Sequence, residues 1–143
     1  MSSRQDKMYE LESLMRYVYK VLRNEMNEVY ENEMSRNEFF ILKTLYEQGS
    51  KKSSDLSKML NVSASHITAV TDSLIEKNWI KRIRSIQDRR IVDLHLTDEG
   101  KAKLELFEKK KTNFLLEKFN DFTDKEIENF ISLFHKLLKM DNK

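Results

Sequence analysis

The sequence contains no cysteine, which excludes disulfides, thiolate metal sites and any cysteine-based redox switch. It has no proline and only two glycines. A chain built on many tight turns needs more of both, so long helices are expected and the fold class is mainly α, with a small α+β element. No run approaches the ~20 apolar residues of a membrane span, and the opening Met1-Ser-Ser-Arg has no apolar signal core. A cytoplasmic location without membrane association is the expectation. The parts of an enzyme are also missing: there is no Gly-rich phosphate loop, no Gly-X-Ser-X-Gly and no pair of histidines beside a carboxylate. His95 and His135 have no ligand partner at metal-binding spacing, so no metal and no cofactor are assigned.

At 143 residues, 39% apolar and 35% charged, the chain is one domain's worth with a modest core and a heavily charged surface. The net charge of +2 hides an uneven distribution. Residues 1–49 carry 7 basic against 9 acidic side chains, residues 50–96 carry 9 against 5, and residues 97–143 carry 10 against 10. The basic excess is confined to the middle third, where a phosphate-binding face would put it.

That middle third holds the most informative pattern. Leu56, Met59 and Leu60 recur at helical spacing, Asn61-Val62-Ser63 interrupts them, and Ile67, Val70, Leu74 and Ile75 resume the period. Two helices joined by a short turn follow from this. Ser63 can cap the second helix, whose first turn, Ala64, Ser65 and His66, is small and polar. In a helix-turn-helix that end enters the major groove, where short side chains permit close approach and polar ones reach base edges. After Asn78 the period shifts towards 2: Val92, Leu94 and Leu96 share one face of a strand, with residues 80–84 as its antiparallel partner. Arg82, Arg84, Arg89 and Arg90 surround the connection, residues 85–89, making a cationic wing.

From Leu56 through Gly100 the chain resembles the MarR family of winged helix-turn-helix transcription regulators. Asp88-X-Arg90 in the wing is followed by an apolar alternation and Leu96-Thr97-X-X-Gly100, and the order and lengths of the flanking helices agree, so the resemblance covers nearly the whole chain. It departs from the family at Ala69, often Arg there, at Asn78-Trp79 in place of Gly-Leu, and at Ser85-Ile86 in place of Asp-Pro. Asn78 tolerates the left-handed conformation and can end the helix as glycine would. The absence of cysteine removes the peroxide-sensing mode of some relatives. The resemblance implies a regulator, most simply a repressor, that binds a pseudo-palindromic operator in double-stranded DNA as a homodimer. The DNA-contacting set is Ser53, Ser63, Ser65, His66, Thr68 and Ala69 from the helical pair, with Arg82, Arg84, Asp88, Arg89 and Arg90 from the wing. Residues two apart on a wing strand share a face, so Asp88 can hold the Arg90 guanidinium for a minor groove.

Outside this lobe, placed at about residues 34–97 of a single domain spanning 1–143, the chain reads as dimerisation helices at about 5–32 and 98–140. Met8, Leu11, Met15, Val18, Leu22, Met26 and Val29 keep a 3/4 alternation, predicting one helix over residues 6–32. Some 26 residues extend roughly 39 Å, longer than one domain of this size can cover, so a second chain should cover the rest. Ser35 through Glu38 fits a capping box for a helix closed by Gly49, and Ser53 is read as the cap of the next helix. Thr97 caps a helix running to about Lys118, and Thr123 through Glu126 is a second capping box. Ile127, Phe130, Ile131, Phe134, Leu137 and Leu138 then form a wide apolar stripe that needs a partner.

Several signals also have ordinary readings. A helical hairpin is common in α domains, an exposed Asp-Arg pair is worth little on its own, and residues 109–111, all lysine, read as a solvated helix face. Tyr9, Tyr17, Tyr19 and Tyr30, with Arg16, are ordinary packing or the lining of a pocket; Arg16 and Tyr17 are the candidate contacts to a small aromatic or anionic effector. The alternative to DNA binding is a winged-helix module for protein contacts, which would need neither a basic wing nor a polar reading turn.

Overall fold

Side chains that accept from the backbone set most helix starts. The computed structural model describes residues 3–140; the remainder of the expected 1–143 domain, residues 1, 2 and 141–143, lies outside the described residues. The chain forms α1 Arg4–Val29, α2 Arg36–Gln48, α3 Ser53–Leu60, α4 Ala64–Glu76, β1 Ile80–Arg84, β2 Val92–Leu96, α5 Asp98–Lys118 and α6 Asp124–Leu137. Reciprocal capping boxes open α1 at Ser3 with Asp6, α2 at Ser35 with Glu38, and α6 at Thr123 with Glu126. Each satisfies two backbone donors that a helix start leaves unpaired.

Two boundaries differ from the sequence expectation. The first helix ends at Val29 and not at residue 32, because Glu31 and Asn32 take positive φ values of 53° and 57°, outside the helical region. Ser53 does not cap α3. The cap residue is Lys52, whose backbone N–H donates to Asp55 Oδ2 at 3.3 Å; with Asp55 supplying that acceptor, the helix starts one residue early and Ser53 sits inside its first turn. Gly49 closes α2 at φ 82°, a conformation that side chains strain to adopt. Asn61 and Asn78 do the same for α3 and α4 at φ 54° and 62°.

The hairpin β1-β2 is antiparallel, with Ile80 opposite Leu96 and Arg84 opposite Val92. Lys51, in what reads as a polar link, adds a bridge on the other side of β2, exchanging backbone hydrogen bonds with Leu94 at 3.2 and 2.7 Å. This ties the entry of α3 to the wing. Leu42, Leu45, Leu56, Ile67, Leu74, Ile80, Leu94 and Phe107 are all buried in one core, roofed by Tyr30, whose ring meets Phe107 edge-on at 4.8 Å. Burial pushes the Tyr30 phenol up to about 12.

Trp79 is buried where α4 turns into β1. Thr97 holds this corner: its hydroxyl donates to the Asn78 carbonyl at 2.7 Å and accepts from Gly100 N–H at 2.9 Å. A Cβ on Gly100 would lie 2.0 Å from the Trp79 carbonyl oxygen, so this position of the Leu-Thr-X-X-Gly motif requires glycine for close approach. Residues 109–111 are not simply solvated. Lys110 Nζ lies 5.1 Å from the Phe107 ring centroid and Lys111 Nζ 4.6 Å from that of Phe39, so their stems cover core aromatics while the charge stays wet.

Candidate nucleic-acid interface

The first turn of α4 is presented by its cap. Ser63 Oγ accepts from the His66 backbone N–H at 3.1 Å and lies 3.1 Å from Ser65 Oγ. The inward residues Ile67, Thr71 and Leu74 anchor the helix, leaving Ala64, Ser65, His66, Thr68 and Ala69 exposed. Thr68 donates its hydroxyl to the Ala64 carbonyl at 2.9 Å, which leaves its lone pairs outward. His66 Nε2 lies 3.1 Å from Asn37 Nδ2, so α2 steadies the imidazole. That contact joins residues 29 apart and has no short-range sequence signal.

The wing is braced from within. The Ser85 N–H donates to the Ile91 carbonyl at 2.9 Å and the Ile91 N–H to the Asp88 carbonyl at 3.0 Å. Arg84 donates to the Arg89 carbonyl. Asp88 Oδ1 accepts from the Arg90 backbone N–H at 3.0 Å and from Arg90 Nε at 3.1 Å, while Oδ2 accepts from Nη2 at 3.1 Å. These donors hold the Asp88 carboxyl below its usual range, the Arg90 side chain contributing most. The pair does not share a strand face as the alternation suggested. Both residues lie in the turn before β2, and an Asx-type turn brings the side chains together.

The four wing arginines have distinct placements. Arg82 is paired with Asp72 of α4 at 2.5 Å, linking the wing to the reading helix, and Arg84 braces the loop. Arg89 is exposed, and Arg90 is 91% exposed though held by Asp88. Ile86 is 99% exposed at the tip. Ser53 is half-buried in the first turn of α3. On α1, Arg16 Nε is 3.7 Å from Glu12 and Tyr17 is exposed. Tyr30 belongs to the core, and Tyr19 accepts from Arg23 and Arg36. Among the described residues no cluster of three or more His, Asp or Glu could hold a metal ion, and no helix is long and apolar enough to cross a membrane.

Comparison with known proteins agrees with this geometry. A family model described as "MarR family" matches residues 34–92. The HTH-type transcriptional regulator YpoP of Bacillus subtilis (strain 168) is 51% identical over 139 residues, 97% of this chain and 99% of that protein. The HTH-type transcriptional repressor MdtR of the same organism is 33% identical over 106 residues, 73% of this chain and 68% of that protein. Among solved structures, the crystal structure of YusO from Bacillus subtilis superposes with a TM-score of 0.82 at 27% identity, covering 98% of this chain and 100% of that one.

Proposed function

The chain belongs to the MarR family of transcriptional regulators, and from that premise we propose that it represses transcription by binding a pseudo-palindromic operator as a homodimer. In this reading α4 enters the major groove with Ser65, His66, Thr68 and Ala69 at base edges, Ser53 and Ser63 approach the backbone, and Arg82, Arg84, Asp88, Arg89 and Arg90 bring the wing to the minor groove. The residues of about 34–97 act as the DNA-binding lobe of one domain, and those of about 5–32 and 98–140 pair with a second copy. The protein acts in the cytoplasm, and a small aromatic or anionic effector contacting Arg16 and Tyr17 releases it from DNA.

The observation that carries this reading is the Arg90 guanidinium, held bidentately by Asp88 yet 91% exposed. An exposed ion pair adds little to stability, but a fixed, solvent-facing fork with unspent donors is suited to a narrow, electronegative minor groove. The repressor MdtR, 33% identical over most of this chain, supports repression over activation. The test is selection of bound duplexes from a random pool, followed by titration of a selected and a random duplex at two salt concentrations. Inverted half-sites about 34 Å apart are expected, with affinity for both duplexes falling steeply as salt rises. A selected site without inverted symmetry counts against the dimeric reading; salt-independent or absent binding counts against DNA contact and favours a protein-contact module.

A further inference from the structure

Where α1 meets the start of α2, two arginines converge on one phenol. Arg23 Nη2 donates to Tyr19 Oη at 2.8 Å, and Arg36 Nη1 donates to the same oxygen at 2.6 Å. Their guanidinium carbons lie 4.7 and 5.8 Å from the Tyr19 ring centroid. A phenol oxygen has two lone pairs, so it can accept both donors, and each planar fork is thereby oriented with most of its five N–H groups unspent. The two donors draw the Tyr19 phenol below its usual range, Arg23 most strongly.

Beside the forks is an open surface groove of about 370 Å³ lined by Arg23, Asn27, Ser35, Arg36 and Asn37. None of these is acidic, and among the described residues neither arginine is ion-paired. Two guanidinium charges brought to one oxygen repel each other, and an oxyanion between them turns that repulsion into attraction. The polar lining matches such a ligand, Asn27 and Asn37 offering amide donors; the start of α2 is already met by the Glu38 carboxylate, which accepts from the Ser35 N–H at 3.0 Å, so the two guanidinium groups supply the charge. Asn37 is also the partner of His66, 3.1 Å away, so the groove adjoins the first turn of α4.

We propose that this groove is a phosphate-binding site, with Arg23 and Arg36 as its forks and Tyr19 as the residue that positions them. The same chemistry can be supplied by the DNA backbone or by free phosphate. The shared wall with His66 favours a backbone phosphate flanking the bases that α4 reads, an assignment that rests on the DNA-binding reading above.

Two arms test the site, using wild type, Arg23→Gln, Arg36→Gln and Tyr19→Phe. All three side chains are exposed, so the variants should keep the wild-type helical circular dichroism. The first arm is a salt series on random and selected duplexes. If the source is the backbone, Arg36→Gln and Arg23→Gln make the slope of log affinity against log salt shallower, by about 0.9 per protomer for each phosphate lost, equally on both duplexes. Tyr19→Phe keeps both charges, so it should retain the slope while weakening affinity. The second arm is calorimetric titration of the DNA-free protein with inorganic phosphate. Saturable binding in wild type that Arg36→Gln abolishes, with unchanged DNA slopes, assigns the site to free phosphate. Unchanged slopes together with no phosphate binding overturn the proposal. A wild type that ignores duplex altogether overturns the DNA reading, and the calorimetric arm then decides the site alone.

Discussion

Between Tyr30 and Phe107 the chain buries its apolar side chains against one another; α1 and α6, though each has an apolar stripe, contain no buried residue. Met8, Leu11, Met15 and Val18 on α1 are about half exposed, and Phe134 and Leu137 on α6, with its cap residue Leu138, more so. The winged lobe closes its own core, ties Lys51 to β2 and locks the Trp79 corner. The arms have the periodicity of packed helices but little in the chain to pack on: Met26 and Val29, at the end of α1, pack against the core, and Phe119, Phe122 and Phe130 cluster at the α5-α6 junction. Contiguous apolar exposure on this scale marks an interaction surface. The arms are therefore where self-association should reside, and the lobe is where folding stability should reside.

The largest expected effect attacks the arms. Phe134 is 58% exposed and its substitution leaves the lobe core untouched. Phe134→Asp removes a large apolar contact and introduces a carboxylate twice by symmetry, which should weaken a dimer by on the order of 6 kcal/mol, taking about 3 per Phe lost. Sedimentation at micromolar concentration should change from dimer to monomer, and operator affinity should fall with it. The denaturant midpoint followed by Trp79 fluorescence should move far less than the association constant. A dimer that survives would locate the interface elsewhere.

The reciprocal substitution attacks the lobe. Gly100→Ala drives a methyl into the Trp79 carbonyl, with Leu96 Cδ1 also 2.9 Å away, and overpacking against backbone costs about 3 kcal/mol. Its denaturation midpoint should drop and the Trp79 signal should broaden, while the folded fraction still sediments as dimer. If Gly100→Ala is neutral, the corner is softer than its geometry implies.

The same contrast explains what could be read from the residues alone. Caps at Ser35, Ser63, Thr97 and Thr123, the left-handed stop at Asn78 and the pairing of residues 80–84 with 92–96 are local: each signal and its partner lie within a few residues or one hairpin. The start of α3 is also local: Asp55 accepts from the Lys52 N–H, so the cap falls at Lys52, one position before Ser53. Contacts across long separations carry no such signature. The bridge of Lys51 to Leu94, the amide of Asn37 on His66 and the convergence of Arg23 and Arg36 on Tyr19 follow from how α1, α2 and the wing pack. Turn geometry is the remaining gap: residues two apart on a strand share a face, whereas Asp88 and Arg90 meet through an Asx turn.

Three further substitutions should leave both stability and association unchanged and separate roles within the lobe. His66 lies in the first turn of α4 with its ring against Asn37. His66→Ala should cost about 1 to 3 kcal/mol on the selected operator, mainly at one base position, with little change on random duplex. Competition binding against single-base operator variants checks this. Preference retained at every position would remove His66 from the reading head.

The smallest effect is the most discriminating, because it separates an arginine that contacts DNA from the carboxylate that only holds it. Arg90→Ala removes the contact, so affinity for operator and random duplex should fall together and the salt slope should become shallower by about 0.9 per phosphate lost. Asp88→Ala leaves the guanidinium present but freed from two side-chain hydrogen bonds; the slope should hold and affinity should drop less, through the entropy of ordering Arg90 on binding. Protonation offers the same change without mutation. Because Arg90 draws the Asp88 carboxyl below its ordinary 3.8, the brace is fully present above that value and is lost as pH falls through the lowered one. The ratio of wild-type to Asp88→Ala affinity should thus stay constant from neutral pH down to about 4, near the ordinary aspartate value, and approach one only below it. A ratio that already declines near pH 6 would mean that a group other than Asp88 holds the fork, and a ratio of one at neutral pH would mean that Arg90 needs no holding.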